Sequence, residues 1–143
     1  MSDHSAHFEI LDHTADIGIL VRAKTLEGLF AGAAQAMMQI LCPHCSIAAR
    51  ENHLLHLYGE DRQELMVNWL SELNFLLQTR QFLTAKADIS KLSDQELRVQ
   101  VSGERINPMA HVIRTEIKAV TYHRIQVHQD TAGDWQAQIY FDV

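Results

Sequence analysis

Residues 8–41 read FEILDHTADIGILVRAKTLEGLFAGAAQAMMQIL, and this stretch decides how the fold begins. Phe8–Asp12 and Ile17–Ala23 predict two short strands with a tight connection, because apolar side chains alternate in the second one. Thr25 is a residue type that caps helices, and Pro43 ends the helix that follows. The helix is predicted from apolar residues at helical spacing: Leu26, Leu29, Phe30, Ala33, Met37 and Ile40.

The rest of the chain predicts one more helix and further strands. Asp61-Arg62-Gln63-Glu64 resembles a capping box and opens a helix that buries Trp69. Because strands and helices do not alternate regularly, the pattern favours an α+β domain, with a largely antiparallel sheet and two helices in two layers. We expect a flexible head at residues 1–7 and a single domain over 8–143. The other predicted strands are Asn52–Tyr58, Phe82–Ile89, Glu96–Val101, Ile117–His128 and Trp135–Phe141.

Composition and charge narrow the class of protein. The chain has 143 residues, of which 47% are hydrophobic and 21% charged, as is ordinary for a globular domain with a sizeable core. Its net charge of -6 argues against a broad nucleic-acid-binding face, so we expect no strong direct nucleic-acid binding. The polar start and the absence of about 18 consecutive apolar residues predict no signal peptide and no membrane span. With only two cysteines, the sequence predicts a cytoplasmic protein.

The segment Cys42-Pro43-His44-Cys45 resembles the Cys-x-x-Cys motif of thiol oxidoreductases. Such a motif opens a helix after a strand, whereas here it follows a helix, so no helix N-terminus stabilises a thiolate. A zinc site that adds His53 and His56 is disfavoured, because residues three apart on a strand face opposite ways. We interpret the segment as a loop with partly buried thiols, and redox and zinc roles are the minor alternatives.

Carboxylates near both chain ends carry the main chemical hypothesis. Asp12 and Asp16 flank a predicted turn, Asp142 is the penultimate residue, and Val143 adds the terminal carboxylate. If a sheet brings the chain end beside Asp16, three carboxylates converge, and a hard divalent cation with oxygen ligands would compensate their charge. The alternative is turn chemistry, in which an Asp or Thr side chain bonds a nearby N–H group. Spacing alone leaves both interpretations open.

A second dense segment is Glu116–His123, which we predict as part of a strand. On a strand, Glu116, Lys118, Val120 and Tyr122 share one face. That face is either a recognition surface or an ordinary solvated face, and the segment alone favours the solvated face.

Together, the motifs between Phe8 and Val143 resemble those of the archease family. The resemblance is specific because every motif occurs in the family's order and at its spacing. Neither the Cys42–Cys45 segment nor Asn107–Arg114 belongs to the signature. The motifs are DHTADIGI at 12–19, TLEGLF at 25–30, WLSEL at 69–73, Gly103-Glu104, EIKAVTYH at 116–123 and the terminal Asp142-Val143.

The resemblance implies a function that composition does not reveal. Archease is an accessory protein that activates the RNA-splicing ligase in tRNA splicing or RNA repair. It promotes guanylylation of the ligase with GTP and a divalent metal, which allows multiple turnover. The protein is then not itself an enzyme, and it meets GTP and RNA through the ligase. The implied fold is a two-layer α+β arrangement related to a strand-helix-strand-strand module.

The resemblance also implies a divalent-cation site. The cation is calcium in the family, with Mg²⁺ and Mn²⁺ as alternatives, and its ligands correspond to Asp16, Asp142 and Val143. The remaining polar motif positions are candidates for activating the partner: Asp12, His13, Glu104 and Lys118.

Two other classes of function stay open. A stand-alone metal-dependent phosphate-ester hydrolase would use Asp12, Asp16 and Asp142, although the sequence has no glycine-rich phosphate loop and no obvious general base. A chaperone or modulator of other RNA-modifying enzymes, such as methyltransferases, would bind several partners through an exposed apolar patch.

Overall fold

A computed structural model of the chain describes residues 5–12 and 16–143. In this part, two helices and eight strands follow one another, which confirms the predicted α+β class with two helices. Strand β1 begins at Ala6, ahead of the predicted domain boundary at residue 8. The elements are β1 Ala6–Asp12, β2 Asp16–Ala23, α1 Leu26–Leu41, β3 Glu51–Tyr58, α2 Arg62–Arg80, β4 Phe82–Leu92, β5 Glu96–Arg105, β6 Ala119–Val120, β7 Gln126–Gln129 and β8 Trp135–Asp142.

The strands form two antiparallel sheets. The larger sheet has the order β1-β2-β8-β6, and β7 also pairs with β8. The smaller sheet has the order β3-β5-β4. Because β8 lies beside β2, the end of the chain returns to its beginning. This arrangement positions the candidate site.

The two helices begin and end where the sequence supplies caps. The hydroxyl of Thr25 accepts a hydrogen bond from the N–H of Gly28 at 3.0 Å, and Asp61 accepts one from the N–H of Glu64 at 2.8 Å. Each cap satisfies a backbone donor that the first helical turn leaves free. Helix α2 ends at Arg80 and is capped by Gln81, whose left-handed backbone directs the chain into β4.

One hydrophobic core joins both sheets to both helices. At its centre, Trp69 of α2 is fully buried, and its indole N–H donates to the carbonyl of Phe30 in α1 at 2.9 Å. A buried indole needs such an acceptor, so this bond fixes the two helices relative to each other. The side chains of Ile19, Val21 and Phe141 reach the same core from the larger sheet.

The prediction of one strand over Ile117–His128 is wrong. The segment contains the short strand β6 and, after a turn, the strand β7. Arg124 has a left-handed φ of 53°, which a continuous strand does not allow. At the start of the segment, the carbonyl of Ile117 accepts hydrogen bonds from side chains of α2. Consequently, the predicted face shared by Glu116 and Tyr122 does not exist as a strand face.

The prediction of a loop at Cys42–Cys45 is confirmed, but the prediction that its cysteines are thiols is wrong. Cys42 and Cys45 form a disulfide, with Cα atoms 5.6 Å apart. The predicted position of the motif is confirmed, because Cys42 caps the C-terminal end of α1. His44 adopts a left-handed φ of 60°, and this sharp turn brings the two cysteines together.

Candidate functional site

The register between β2 and β8 places Asp16 directly opposite Asp142. Residues opposite each other in an antiparallel pair project from the same face, with Cβ atoms roughly 4.5–5.5 Å apart. The next pair, Ile17 and Phe141, packs against the core. Because side chains alternate along a strand, Asp16 and Asp142 project from the outer face of the larger sheet.

This pair of acidic residues is electrostatically uncompensated in the described part of the chain. No ion pair involves Asp16 or Asp142 within residues 5–12 and 16–143. Like charges directly opposite each other destabilise a sheet. Over the same residues, no group of three or more His, Cys, Asp and Glu side chains could hold a metal ion. A third ligand would therefore come from another kind of group, such as a terminal carboxylate.

Val143 anchors the end of the chain beside Asp142. Its side chain is half-buried and packs against the hydrophobic core. The C-terminal residue is therefore held by apolar contacts immediately after β8. This anchoring keeps the last backbone unit near the pair of Asp16 and Asp142.

The backbone of Lys118 lies next to Asp142 and is held from two sides. Its N–H donates to the carbonyl of Asp142 at 2.8 Å. The preceding carbonyl, that of Ile117, accepts hydrogen bonds from the amides of Asn74 and Gln78 of α2 at 2.8 and 2.9 Å. The side chain of Ile117 is fully buried, whereas Lys118 is exposed. The lysine therefore projects from a fixed backbone.

Gly18 and Tyr140 form the neighbouring cross-strand pair on the outer face. The Tyr140 ring lies so close to Gly18 that a Cβ atom there would be 2.6 Å from its Cε1 atom. Glycine is thus required for the ring to approach β2 this closely. The ring is buried on the same face of the sheet as Asp16 and Asp142.

Asp12 does not join Asp16 and Asp142 on the outer face. It pairs with Ile17, whose side chain packs against the core, so the register directs Asp12 to the opposite face. His13, the candidate residue that follows Asp12 in the sequence, lies outside the described residues.

Glu104 lies on β5, in the other sheet, and has its own partners. Its carboxylate accepts from the N–H of Ala48, contacts the Arg50 Nε at 3.3 Å, and lies 3.4 Å from Nε2 of the buried His111. The Ala48 N–H chiefly lowers the pKa of Glu104, and the charges of His111 and Arg50 lower it further. The carboxylate thus ties together three segments of the chain.

Asn74 and Gln78 were not predicted as site residues, although the sequence contains a signal for Asn74. It follows the WLSEL motif and lies one helical turn after Leu70, on a buried stripe that also includes Leu73 and Leu77. A polar residue at such a position needs a hydrogen-bond partner. Only the fold identifies that partner as Ile117.

Sequence comparison decides the family. Residues 8–143 match the model of the Archease protein family. This chain belongs to the archease family. A relative from Methanosarcina mazei, "Protein archease", is 33% identical over the whole of both chains. Another, from Sulfolobus acidocaldarius, is 32% identical and covers 86% of this chain and 89% of its own.

A solved archease-type structure extends the match from sequence to fold. The solution structure of Methanobacterium thermoautotrophicum protein 1598 aligns with a TM-score of 0.79 and 32% identity, covering 95% of this chain and 98% of that one. Archease membership supports an accessory, activating role in general terms. Among the described helices, neither is long and apolar enough to cross a membrane.

Proposed function

We propose that this archease activates an RNA-splicing ligase in the cytoplasm. In this proposal it promotes guanylylation of the ligase with GTP, and so supports multiple turnover in tRNA splicing or RNA repair. The ligase performs the covalent chemistry, and GTP and RNA are engaged through it. Archease itself is then an activator and not an enzyme.

The observation that carries the proposal is the direct pairing of Asp16 with Asp142 beside the anchored Val143. This donor set consists of oxygen atoms and negative charge, which suits a hard divalent cation such as Ca²⁺, Mg²⁺ or Mn²⁺. Asp16, Asp142 and the Val143 carboxylate would hold the cation. When bound, it would neutralise repulsion between the carboxylates and present a positive centre at the corner of the sheet.

Lys118 is the proposed activating side chain. Its backbone is fixed by Asp142 on one side and, through Ile117, by α2 on the other. Less conformational freedom is then lost when the exposed ammonium group meets a phosphate or carboxylate of the partner. Archease thus presents acidic ligands and, on a backbone bonded to Asp142, an exposed cationic group.

The other candidate residues have different places in this proposal. Asp12 ends β1 and His13 follows it in the sequence, and we propose both as contacts for the ligase. Glu104 acts at a distance, because it lies on β5 of the smaller sheet and holds Ala48 and His111 in place there.

Two alternatives receive less support. A hydrolase would need Asp12 to act together with Asp16 and Asp142, but the register directs Asp12 to the opposite face. A general chaperone for other RNA-modifying enzymes would bind through exposed apolar groups and would not need the pairing of Asp16 with Asp142. Activation of one ligase therefore remains the proposal.

Multiple-turnover RNA ligation tests this function. The cognate ligase, GTP and Mn²⁺ are assayed with and without a substoichiometric amount of archease. We expect faster turnover that Asp16→Ala abolishes and Lys118→Ala reduces. Asp88→Ala, which removes an exposed carboxylate on the other sheet, is the control that should preserve activation. No acceleration of a competent ligase would refute the proposal, and full activation by Lys118→Ala would remove that residue from it.

A further inference from the structure

Strand β3 leaves one backbone edge unpaired within the described residues. It pairs only with β5 in the smaller sheet. The N–H of Gly59 bonds the carbonyl of Gln95 at 3.1 Å. Because bonding alternates along an antiparallel pair, the N–H groups of Leu54, His56 and Tyr58 point away from β5. This edge therefore offers donors and acceptors to a further strand.

The opposite edge of the same sheet, β4, lacks this regularity. Its register with β5 shifts between Thr84 and Lys86 and again between Ile89 and Lys91. Irregular pairing and exposed lysines are devices that prevent an edge from pairing with another chain. In contrast, β3 pairs with β5 through eight consecutive residues without a shift. Its solvent-facing positions carry no lysine and no proline: Asn52, Leu54, His56 and Tyr58.

A groove of about 560 Å³ runs beside this edge, between β3 and helix α2. Apolar groups border both faces that an added strand would have. Phe75, on the helix, is 54% exposed, and Leu54, on the outer face of the sheet, is 79% exposed. At one end, the Asn68 amide donates to the Tyr58 carbonyl at 2.7 Å and closes the edge. The lining residues are His56, Leu57, Tyr58, Asn68, Ser71, Glu72 and Phe75.

The charge in the groove indicates the side chain that an occupant should carry. Glu72 is half-buried in the groove, and no ion pair involves it in the described part of the chain. Glu72 also belongs to the WLSEL motif, and the corner formed by Asp16 and Asp142 does not use it. A partly buried carboxylate is best matched by a lysine or arginine that donates hydrogen bonds to it.

We propose that the groove between β3 and α2 binds an extended segment of a partner protein, which adds a strand to β3 and places a lysine or arginine against Glu72. Backbone hydrogen bonds to the edge would supply affinity, and alternate side chains near Phe75 and Leu54 would supply specificity. This surface is separate from the residues assigned to the cation and to Lys118. The inference therefore stands whether or not the proposed ligase activation is correct.

Synthetic peptides can test this inference with the full chain. The probes are fluorescein-labelled decapeptides of alternating threonine and valine, with one lysine moved through each position. We expect saturable binding by fluorescence anisotropy, tightest for one placement of the lysine and at least about tenfold weaker when glutamate replaces it. Hydrogen exchange should slow at the amides of Leu54, His56 and Tyr58 when the best peptide binds.

Matched variants separate the backbone edge from the side chains. Leu54→Pro removes one outward N–H group, and an edge strand tolerates it when that group faces solvent. Leu54→Thr keeps the N–H group and is the control. We expect Leu54→Pro to weaken binding about tenfold or more, Leu54→Thr to change it less, and Glu72→Gln to abolish the preference for lysine. Unchanged circular dichroism and melting temperature would confirm that the variants are folded.

Three results would overturn the inference. The first is no saturable binding by any peptide. The second is binding without slower exchange at the edge amides or without an effect of Leu54→Pro. The third is a dimer in sedimentation velocity that Leu54→Pro converts to monomer, because a second copy of the chain would then occupy the edge.

Discussion

Two groups of carboxylates in this molecule have opposite surroundings. Glu104 accepts a backbone hydrogen bond and contacts an arginine and a buried histidine, which lower its pKa. Asp16 and Asp142 face each other across two strands and have no ion-pair partner among the described residues. A carboxylate with its own partners holds a fold together. We expect a pair of carboxylates without ion-pair partners to bind a cation instead.

The largest expected difference between these two groups of carboxylates is their effect on cation binding. We expect Ca²⁺ to stabilise archease by about 2.7 kcal/mol when its free concentration is 100-fold above the dissociation constant. Asp142→Asn should abolish this gain, whereas Glu104→Gln should retain it. Thermal unfolding with Ca²⁺ and with a chelator measures both effects.

The stability of the protein in the presence of a chelator provides a second test of the role of Asp142. Without a cation, Asp142→Asn should be more stable than the wild type by roughly 0.2–1 kcal/mol, because it removes a cross-strand repulsion. Equal Ca²⁺ stabilisation of the wild type and Asp142→Asn would show that Asp142 is not a ligand.

The terminal carboxylate can be tested apart from the two side chains. A short C-terminal extension moves this group away from Asp142 without changing any residue. Since the loss of outer-shell partners already costs about 10–100-fold in metal affinity, loss of a direct ligand should cost at least about tenfold. Calorimetric titration of Ca²⁺ into both forms measures the difference. Equal affinity would remove the Val143 carboxylate from the proposed ligand set.

Much of this fold could be predicted from local patterns, whereas the pairing at the site could not. Thr25 and Asp61 are cap residues followed by apolar periodicity, and both helices begin beside them. The pairing of Asp16 with Asp142 depends on the sheet order, which local periodicity does not encode. Convergence of the chain ends was a hypothesis, and the register between β2 and β8 supplies that geometry.

The two wrong predictions from the sequence also have specific physical causes. Glu116–His123 alternates well enough to predict a strand, but Asn74 and Gln78 take the carbonyl of Ile117 and Arg124 turns the chain. The disulfide between Cys42 and Cys45 depends on a left-handed residue between them, which their spacing does not reveal. Tertiary contacts override the local pattern in the first segment, whereas the backbone conformation of one residue decides the second.

Removing a hydrogen bond that fixes the backbone before Lys118 should have a smaller effect than removing a proposed cation ligand. Asn74→Ala removes one of the two hydrogen bonds to the Ile117 carbonyl, and we expect a loss of about 1 kcal/mol in the free energy of unfolding. Ligase activation should fall further than the folded fraction, because the backbone before Lys118 becomes less fixed. Chemical denaturation gives the free energy of unfolding, and the ligation assay gives the activation. Both are measured for Asn74→Ala and for the control Asn68→Ala. A loss of activity that follows the folded fraction would give Asn74 a purely structural role.

The smallest expected effect concerns a carboxylate with partners on the surface. Lys91, with its Nζ 2.8 Å from Glu96, chiefly lowers the pKa of Glu96 to about 2, and His56 contributes next. Because the pKa is lowered from its usual value of 4.5, the stabilisation is present above pH 4.5 and is lost as pH falls towards 2. Solvent screens this exposed cluster, so the change in stability should be small.

Glu96→Gln tests that pH dependence. The variant should be slightly less stable than the wild type at pH 7, and the difference should disappear as the pH approaches 2. Urea unfolding at a series of pH values follows the difference, and Asp88→Asn serves as an exposed-carboxylate control. A difference that persists at pH 2 would mean that Glu96 stabilises the sheet by packing and not by its charge. The contrast between carboxylates with and without partners would then rest on Glu104 alone.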